Sequence, residues 1–411
     1  MPDGPRLSAV ACLCLPLALV AATAGAQGLS GGPLDLQAAI DRALAANPTL
    51  AAARLRPAID EAGIGVARER PNPEFTAEVE KETPRQTFAF AVPVELGGKR
   101  SRRIALGEAT VRSAEAEVAA TVLQVRNDVR RTYFGVLVAE ARLNLLAEVR
   151  DIARRVLDGA RQRFEAGSAP RLEVMQAELA LASAETETDA ARGRVEAARA
   201  SLNVLLGAPL AATWSLSTPI DDGPVVTTDA VLALATSAST ELAVLDRQVD
   251  AQRARVTLAG AQRVPDLIPT ATLTRDSPPD FDYGWRAALT VTLPVFASHR
   301  AGVLVEQAAL DQLLAERDAA RLRIAGQVTG AAVTVAAERQ RYLRYRDEVV
   351  PDALQVEQVA QDAYDLGQTG IVALLQALQS TRDVRLRALD SVAEYQNALA
   401  DLERAIGVSL P

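Results

Sequence analysis

Few side chains in this sequence could carry covalent or metal chemistry. The chain has one histidine, His299, and its two cysteines, Cys12 and Cys14, stand close to its start. Apart from the first residue, Met175 is the single methionine. A histidine-activated nucleophile, or a metal site of thiolate and imidazole ligands, needs more such groups than the rest of the chain has. The sequence therefore predicts no enzymatic activity, no resident metal and no cofactor.

A glycine-lysine pair, Gly98-Lys99, invites comparison with a phosphate-binding loop. That motif requires glycine where Pro93 stands and serine or threonine where Arg100 stands, so the comparison fails. The carboxylates are spread along the chain at spacings typical of solvated helix faces. A net charge of −8 also argues against a nucleic-acid partner.

Residues 1–26 have the order of a secretory signal peptide. An apolar stretch at 7–22 follows a short basic start, and Ala24-Gly25-Ala26 supplies the small residues of a cleavage site. The mature chain is expected to begin near Gln27. An alternative is lipidation at Cys12, but the apolar run before that cysteine is short. No later segment has 18 consecutive apolar residues, so the exported chain is predicted to be periplasmic or to insert as a β-barrel.

The sequence contains two copies of one unit, predicted at residues 34–214 and 226–411 and joined by the stretch 218–224. Matching positions lie 200 residues apart, as in Phe164-Glu165-Ala166-Gly167 with Tyr364-Asp365-Leu366-Gly367, Gln176-Ala177 with Gln376-Ala377, Leu202 with Leu402, and Gly207 with Gly407. Aromatic residues make up only 4% of the chain, which is typical of long helices packed side by side.

Each unit has the same predicted order: a helix at 34–69 or 228–262, two strands, a long helix at 98–166 or 299–366, and a return helix at 171–206 or 371–406. The long helices carry apolar residues at coiled-coil spacing, as at Val118, Val122, Val125 and Val129. A helix of this length spans about 100 Å. An ordinary helical bundle is the alternative, although no single-domain core needs such a rod.

The predicted strands alternate apolar and polar residues, which is typical of outer-membrane strands with one face toward lipid. They cover residues 75–80, 87–94, 270–274 and 285–295. The side chains predicted to face lipid are Phe88, Phe90, Trp285, Leu289 and Val291. Four strands cannot close a barrel, and lipid does not tolerate the unpaired edges of an open sheet. Three chains would supply twelve strands, so we expect a homotrimer around one shared barrel.

With these elements the sequence resembles the TolC-type outer-membrane efflux proteins over essentially the whole chain after the signal peptide. The resemblance rests on the unit order, on the turn segments 164–177 and 364–377 with their aromatic-x-x-Gly starts, and on the unit endings Leu-Asn-Val-Leu-Leu-Gly207 and Leu-Glu-Arg-Ala-Ile-Gly407. It implies a mainly α fold with a small β part: long coiled-coil-like helical hairpins in two tandem repeats, and four strands per chain in a shared trimeric 12-stranded β-barrel. It also implies a location in the cell outer membrane, with a helical tunnel in the periplasm.

In such proteins the turns between the long and return helices are periplasmic tips, where an adaptor protein docks and connects the duct to a proton-driven inner-membrane pump. The resemblance places these tips at Phe164, Gly167, Ser168, Tyr364, Gly367 and Gln368, and the periplasmic constriction at Glu173, Gln176 and Gln376. The family's acidic pair in the second unit falls on Ala373 and Gln376, so Glu173 is left to form an electronegative ring. Alternatively, Glu173 is an ordinary acidic residue of a first helical turn.

The segment Glu95-Leu-Gly-Gly-Lys-Arg100 resembles the CzcC-type subgroup, which serves efflux of cobalt, zinc and cadmium or of copper and silver. A structural alternative is that Gly97-Gly98 ends the strand and that the basic residues after it lie at the lipid headgroups. The resemblance thus implies an outer-membrane channel subunit of a tripartite efflux system for heavy-metal cations. Two alternatives stay open: the same duct exporting drugs, other organic compounds or proteins, and a periplasmic coiled-coil scaffold without a pore.

Overall fold

The computed structural model describes residues 30–82, 84–221, 223–224, 227–277 and 281–408. The predicted signal peptide and the alternative lipidation site Cys12 lie outside these ranges. The chain is mainly helical with two small sheets, which confirms the predicted mainly α class. None of the helices in the described ranges is both long enough and apolar enough to cross a membrane.

In the first half of the chain, two helices precede the strands where the sequence predicted one. The elements are β1 (Ser30–Leu34), α1 (Leu36–Ala46), α2 (Pro48–Arg68), β2 (Glu74–Val79), β3 (Gln86–Ala91), α3 (Lys99–Glu165), α4 (Arg171–Leu205) and β4 (Thr213–Leu216). Asn47 is extended, and its side-chain oxygen accepts hydrogen bonds from the amides of Thr49 and Leu50. Because this cap and Pro48 start a new helix, the single helix predicted at 34–69 is wrong.

The second half has the same break before its strands. Its elements are α5 (Thr228–Ala238), α6 (Thr240–Ala261), β5 (Leu267–Ser277), β6 (Phe281–Val291), α7 (Arg300–Arg344), a π-helical turn (Tyr345–Val349), α8 (Val350–Asp365) and α9 (Ile371–Ile406). Ser239 lies between α5 and α6, and its hydroxyl accepts a hydrogen bond from the amide of Leu242 at 3.4 Å. The single helix predicted at 228–262 is therefore also wrong.

The π-helical turn interrupts the long helix predicted at 299–366. Pro351 has no amide hydrogen, and its ring would clash with the carbonyl group four residues earlier in a regular helix. The wider turn avoids this conflict, because the amide of Val350 donates to the carbonyl of Tyr345, five residues back. Helix α3 contains no proline and runs without interruption for 67 residues.

Helix α3 packs along α2, α4, α6 and α9, and α9 packs in turn on α7 and α8. We call α3 with α4 the first hairpin, and α8 with α9 the second hairpin. The predicted seam residues Val125 and Val129 are buried in one cluster with Tyr133 and Phe134. A second cluster joins α5, α7 and α9, and a third lies between the hairpins near their turns. These clusters hold both hairpins in one helical layer.

Candidate tips, constriction and sheet face

The larger sheet joins strands from both halves of the chain in the antiparallel order β2-β3-β5-β6. Its register aligns Phe88 with Leu273, and Leu273 with Trp285, across three neighbouring strands. Alternation along the strands places the other predicted lipid-facing residues on the same face. That face comprises Phe75, Ala77, Val79, Phe88, Phe90, Leu267, Pro269, Ala271, Leu273, Trp285, Ala287, Leu289 and Val291, with Gln86, Arg275 and Tyr283 at one end. The opposite face is mainly polar: it carries Glu74, Thr76, Glu78, Thr87, Thr270, Thr272, Thr274, Arg286 and Thr290, together with Ala89, Ala91, Ile268, Gly284 and Ala288.

The strands differ in length from the prediction. β5 and β6 have 11 residues each, whereas β2 and β3 have 6. The amides of Val92 and Val94 donate to the carbonyls of Pro269 and Leu267 at 3.1 and 2.7 Å, which extends the pairing of β3. β6 ends at Val291, so its predicted extension to residue 295 is wrong. Val291 pairs with Leu267, the first residue of β5, so the ladder between these two strands ends there.

The junction between β3 and α3 is held by its charged residues. Arg103 pairs with Glu95, and Lys99 pairs with Asp266 at 2.8 Å. Arg100 donates to the carbonyl of Arg68 at the end of α2 at 2.7 Å. These basic side chains therefore bind acceptors of the protein itself, and their predicted position at the lipid headgroups stays a prediction. The segment connects the sheet to α2 and α3.

The two hairpin turns have the same backbone geometry. Gly167 and Gly367 have φ values of 71° and 70°, and their amides donate to the carbonyls of Phe164 and Tyr364 at 2.9 Å. The amides of Ser168 and Gln368 reach back five residues, to carbonyls at 2.8 Å. A Cβ atom at either glycine would meet nothing within 4 Å. The positive φ alone thus explains why glycine stands at the two positions.

The aromatic residues of the turns are not equivalent. Phe164 is 45% exposed, whereas Tyr364 is 3% exposed between the hairpins. The guanidinium of Arg163 lies 4.6 Å from the centre of the Tyr364 ring, and the Tyr364 hydroxyl lies 3.5 Å from Oε2 of Glu173. Burial, and then the negative charge of Glu173, raise the pKa of the Tyr364 phenol. This contact connects the first hairpin to the second.

The predicted constriction residues lie just past the turns. Glu173 is in the first turn of α4 and is half-buried by its contact with Tyr364. Gln176 is half-buried one turn further along α4, and Gln376 is exposed on α9. Of these three residues, only Glu173 forms a side-chain hydrogen bond to the other hairpin within the described ranges. Across those ranges, no three His, Cys, Asp or Glu side chains converge to hold a metal ion.

A line of ion pairs connects the first hairpin to α9, and the sequence interpretation missed it. From the far end toward the turns, the pairs are Arg130–Glu403, Arg131–Asp401, Arg142–Asp390, Glu148–Arg385 and Glu187–Arg382. The arginine stands on α3 in the first three pairs and on α9 in the last two. Four of these pairs join α3 to α9. From one pair to the next, the residue number on α3 rises by nearly the amount by which the number on α9 falls, as expected for antiparallel helices. Oppositely charged residues at matching, opposed positions of the two long helices are a signal in the sequence that could have indicated this pairing.

Comparisons with known proteins extend over most of the chain. A family model described as outer membrane efflux protein matches residues 39–208 and 231–408. The cobalt-zinc-cadmium resistance protein CzcC of Cupriavidus metallidurans is 27% identical over 381 residues, which are 92% of this chain and 91% of that protein. The nickel-cobalt-cadmium resistance protein NccC of Alcaligenes xylosoxydans xylosoxydans is 28% identical over 350 residues, with coverage of 79% and 76%. A crystal structure of CusC shares the fold with a TM-score of 0.75 at 15% identity, covering 91% of this chain and 92% of that one.

Proposed function

The chain belongs to the outer membrane efflux protein family, and we propose that it is the outer-membrane channel subunit of a tripartite export system for heavy-metal cations. The apolar face of the sheet β2-β3-β5-β6, with a mainly polar face behind it, is the observation that supports a membrane duct. Such a sheet fits between lipid and an aqueous lumen. The cargo rests on the relatives CzcC and NccC, whose names state resistance to cobalt, zinc, cadmium and nickel.

Closure of the duct requires more than one chain. Among the described residues, the outer edges of β2 and β6 have no neighbouring strand. Unpaired backbone groups cost several kcal/mol each in the hydrocarbon core, so an open sheet of four strands is not stable there. Three copies joined edge to edge would close twelve strands around one lumen. The hairpins of the three chains would continue this lumen as a tunnel in the periplasm.

The turns at Gly167 and Gly367 are the proposed adaptor-docking tips. Both are exposed, and both leave open space around the glycine Cα. An adaptor backbone can therefore approach closely at Gly167, Ser168, Gly367 and Gln368. Docking at these tips would connect the tunnel to an inner-membrane pump, which would supply the energy that a passive duct lacks.

Glu173 is the proposed cation-attracting residue of the constriction. Three copies would place three carboxylates near the tunnel entrance, and Gln176 and Gln376 would add neutral polar groups beside them. A ring of carboxylates favours cation entry, and it has to bind weakly enough to let the ion leave. We therefore propose conduction of the metal without a resident metal site.

Cargo is tested by deleting the gene and measuring tolerance to cobalt, zinc, cadmium, nickel, copper and an organic dye. We expect lower tolerance to one or more of the metals, unchanged tolerance to the dye, and recovery when the intact gene is returned. Loss of dye tolerance with unchanged metal tolerance would show that the duct exports organic compounds instead.

A further inference from the structure

A groove that is open to solvent runs along the second hairpin near its turn, between α8 and α9. It has a volume of about 590 Å³. Most of its lining residues are valine or alanine: Val356, Val359, Ala360 and Ala363 of α8, and Ala373 and Ala377 of α9. Val356 and Val359 are 58% and 62% exposed. We call this apolar surface the open groove.

The first hairpin has a matching groove, and the second hairpin of the same chain fills it. Its buried residues Val156, Ala160 and Ala177 stand 200 residues before three of the residues that line the open groove. Tyr364 and Leu374 of the second hairpin lie in the same buried cluster. We call this matching surface the filled groove. The repeat thus shows what kind of surface covers such a groove.

Tyr364 enters the filled groove between two charged side chains. The guanidinium of Arg163 lies 4.6 Å from the centre of its ring, and Oε2 of Glu173 lies 3.5 Å from its hydroxyl. The counterpart of Tyr364 in the first half of the chain is Phe164, which is 45% exposed. If the contact were repeated at the open groove, it would bury the Phe164 ring.

The open groove suits a phenylalanine rather than a tyrosine. Where the filled groove has Arg163 and Glu173, the open groove has Ala363 and Ala373. A phenylalanine ring has no hydroxyl that needs a hydrogen-bond partner, and the two alanine side chains offer none. All three positions therefore change together, from a polar set to an apolar set.

Two further side chains of the second hairpin lie in the buried cluster, Leu374 and Ile371. Leu374 corresponds to Val174, which is also apolar, whereas Ile371 corresponds to Arg171. A repeated contact would therefore keep apolar side chains at two of its three positions, with Phe164 as the largest of them.

We propose that a second copy of this chain covers the open groove, with Phe164 of a neighbouring subunit inserted between Ala363 and Ala373. In a cyclic trimer each chain offers its first hairpin to one neighbour and its second hairpin to the other. Contacts within chains and contacts between chains would then alternate around the tunnel. Burial of the Phe164 ring removes apolar surface from water, which favours association. The inference rests on the proposed homotrimer and names the contact that joins its helical part.

Chemical crosslinking of the full-length protein, extracted from the outer membrane in detergent, tests this contact. The natural cysteines, Cys12 and Cys14, lie in the predicted signal peptide, so Phe164→Cys and Ala363→Cys should supply the thiols of the processed chain. We expect a short bismaleimide to give covalent dimers and trimers on denaturing gels. Phe164→Cys with Asp365→Cys is the matched control and should give monomers, because the exposed Asp365 stands two residues on, toward the far side of α8.

Native mass spectrometry of the same samples separates the failure of this contact from the failure of the duct. Trimers that form without the expected crosslink would overturn the contact and would leave the open groove to an adaptor. Absence of trimers from the unaltered protein as well would overturn both the contact and the shared duct.

A compensating pair of substitutions gives a second test. Ala373→Glu places a carboxylate against the Phe164 ring, so it should lower the temperature at which trimers separate. Added Phe164→Tyr should recover part of that loss, because its hydroxyl can donate to the new carboxylate as Tyr364 does to Glu173. Val372→Glu is the control, since Val372 is exposed and does not line the groove. Recovery by Phe164→Tyr of neither acidic variant, or of both alike, would contradict the contact.

Discussion

Arg130 of α3 and Glu403 of α9 form a buried ion pair, with a nitrogen-oxygen distance of 2.9 Å and side chains only 10% and 7% exposed. The ring of Phe134 lies beside the same guanidinium, at 5.7 Å. This is the least exposed ion pair between the two halves of the described chain. It fixes how α9 aligns with α3, and hence how the second hairpin meets the first.

Arg130→Ala should destabilise the protein by about 3–5 kcal/mol, because it removes the buried guanidinium that pairs with the Glu403 carboxylate. Arg131→Ala is the matched control, since Asp401 is largely exposed, and it should cost less than about 1 kcal/mol. Urea unfolding of both variants checks the difference. Equal losses would contradict the account, and the apolar pair Arg130→Met with Glu403→Leu should recover most of the stability.

Glu357→Gln should stabilise the protein near neutral pH. Burial raises the pKa of the Glu357 carboxyl in the folded chain above its unfolded value, so the folded state favours the protonated form. The stability contributed by Glu357 is therefore present at low pH and is lost as the pH rises through the folded pKa. Glutamine stays neutral, so the gain should fade as the pH falls below about 4. Thermal unfolding at several pH values measures it, and a variant less stable than the unaltered protein at pH 7 would refute the prediction.

Gly367→Val should abolish export and adaptor binding while trimers still assemble. The φ of 70° at Gly367 is strained for a β-branched residue, and the strain, about 1–3 kcal/mol, is confined to the exposed turn. Gly370→Val is the control, because Gly370 has a φ of −84° that valine adopts readily. Adaptor pull-down and trimer mobility on gels distinguish the effects. Loss of the trimer in Gly367→Val would mean that this turn serves assembly.

Glu173→Gln should lower the preference of the reconstituted channel for cations over anions, because it removes the proposed ring of charge. Gln376→Glu should raise that preference by restoring an acidic residue on α9. Glu165→Gln changes an exposed carboxylate at the end of α3 and serves as the control. Reversal potentials in a salt gradient give the selectivity. If Glu173→Gln and the control behave alike, Glu173 is an ordinary residue of a first helical turn.

Long periodic elements were predictable from the sequence. Helix α3 was predicted at 98–166 and lies at Lys99–Glu165, because its apolar spacing continues without proline. The predicted TolC-type family and outer-membrane location are confirmed by the family match and the relatives. The two turn glycines, named from the sequence as tip residues, lie in the turns between the helices of the two hairpins and have a positive φ. The functional roles of the turns and of Glu173 stay predictions.

The missed features depend on local caps or on distant contacts. Asn47 and Ser239 break their helices although the helical pattern continues past them. The short strands β1 and β4 pair in parallel across most of the first half, and no local alternation indicates this. The partners of the ion pairs between α3 and α9 are far apart in sequence, and only their opposed numbering along the two helices indicates them. Tertiary packing decides the strand pairing and the ion pairs.

The oligomeric state of the protein extracted from the outer membrane tests the central claim most directly. Native mass spectrometry of the detergent-solubilised protein should give three times the mass of the processed chain, because four strands per chain close a barrel only when three chains share it. A monomer that leaves the cell envelope without detergent would contradict the duct, and would favour a periplasmic coiled-coil scaffold.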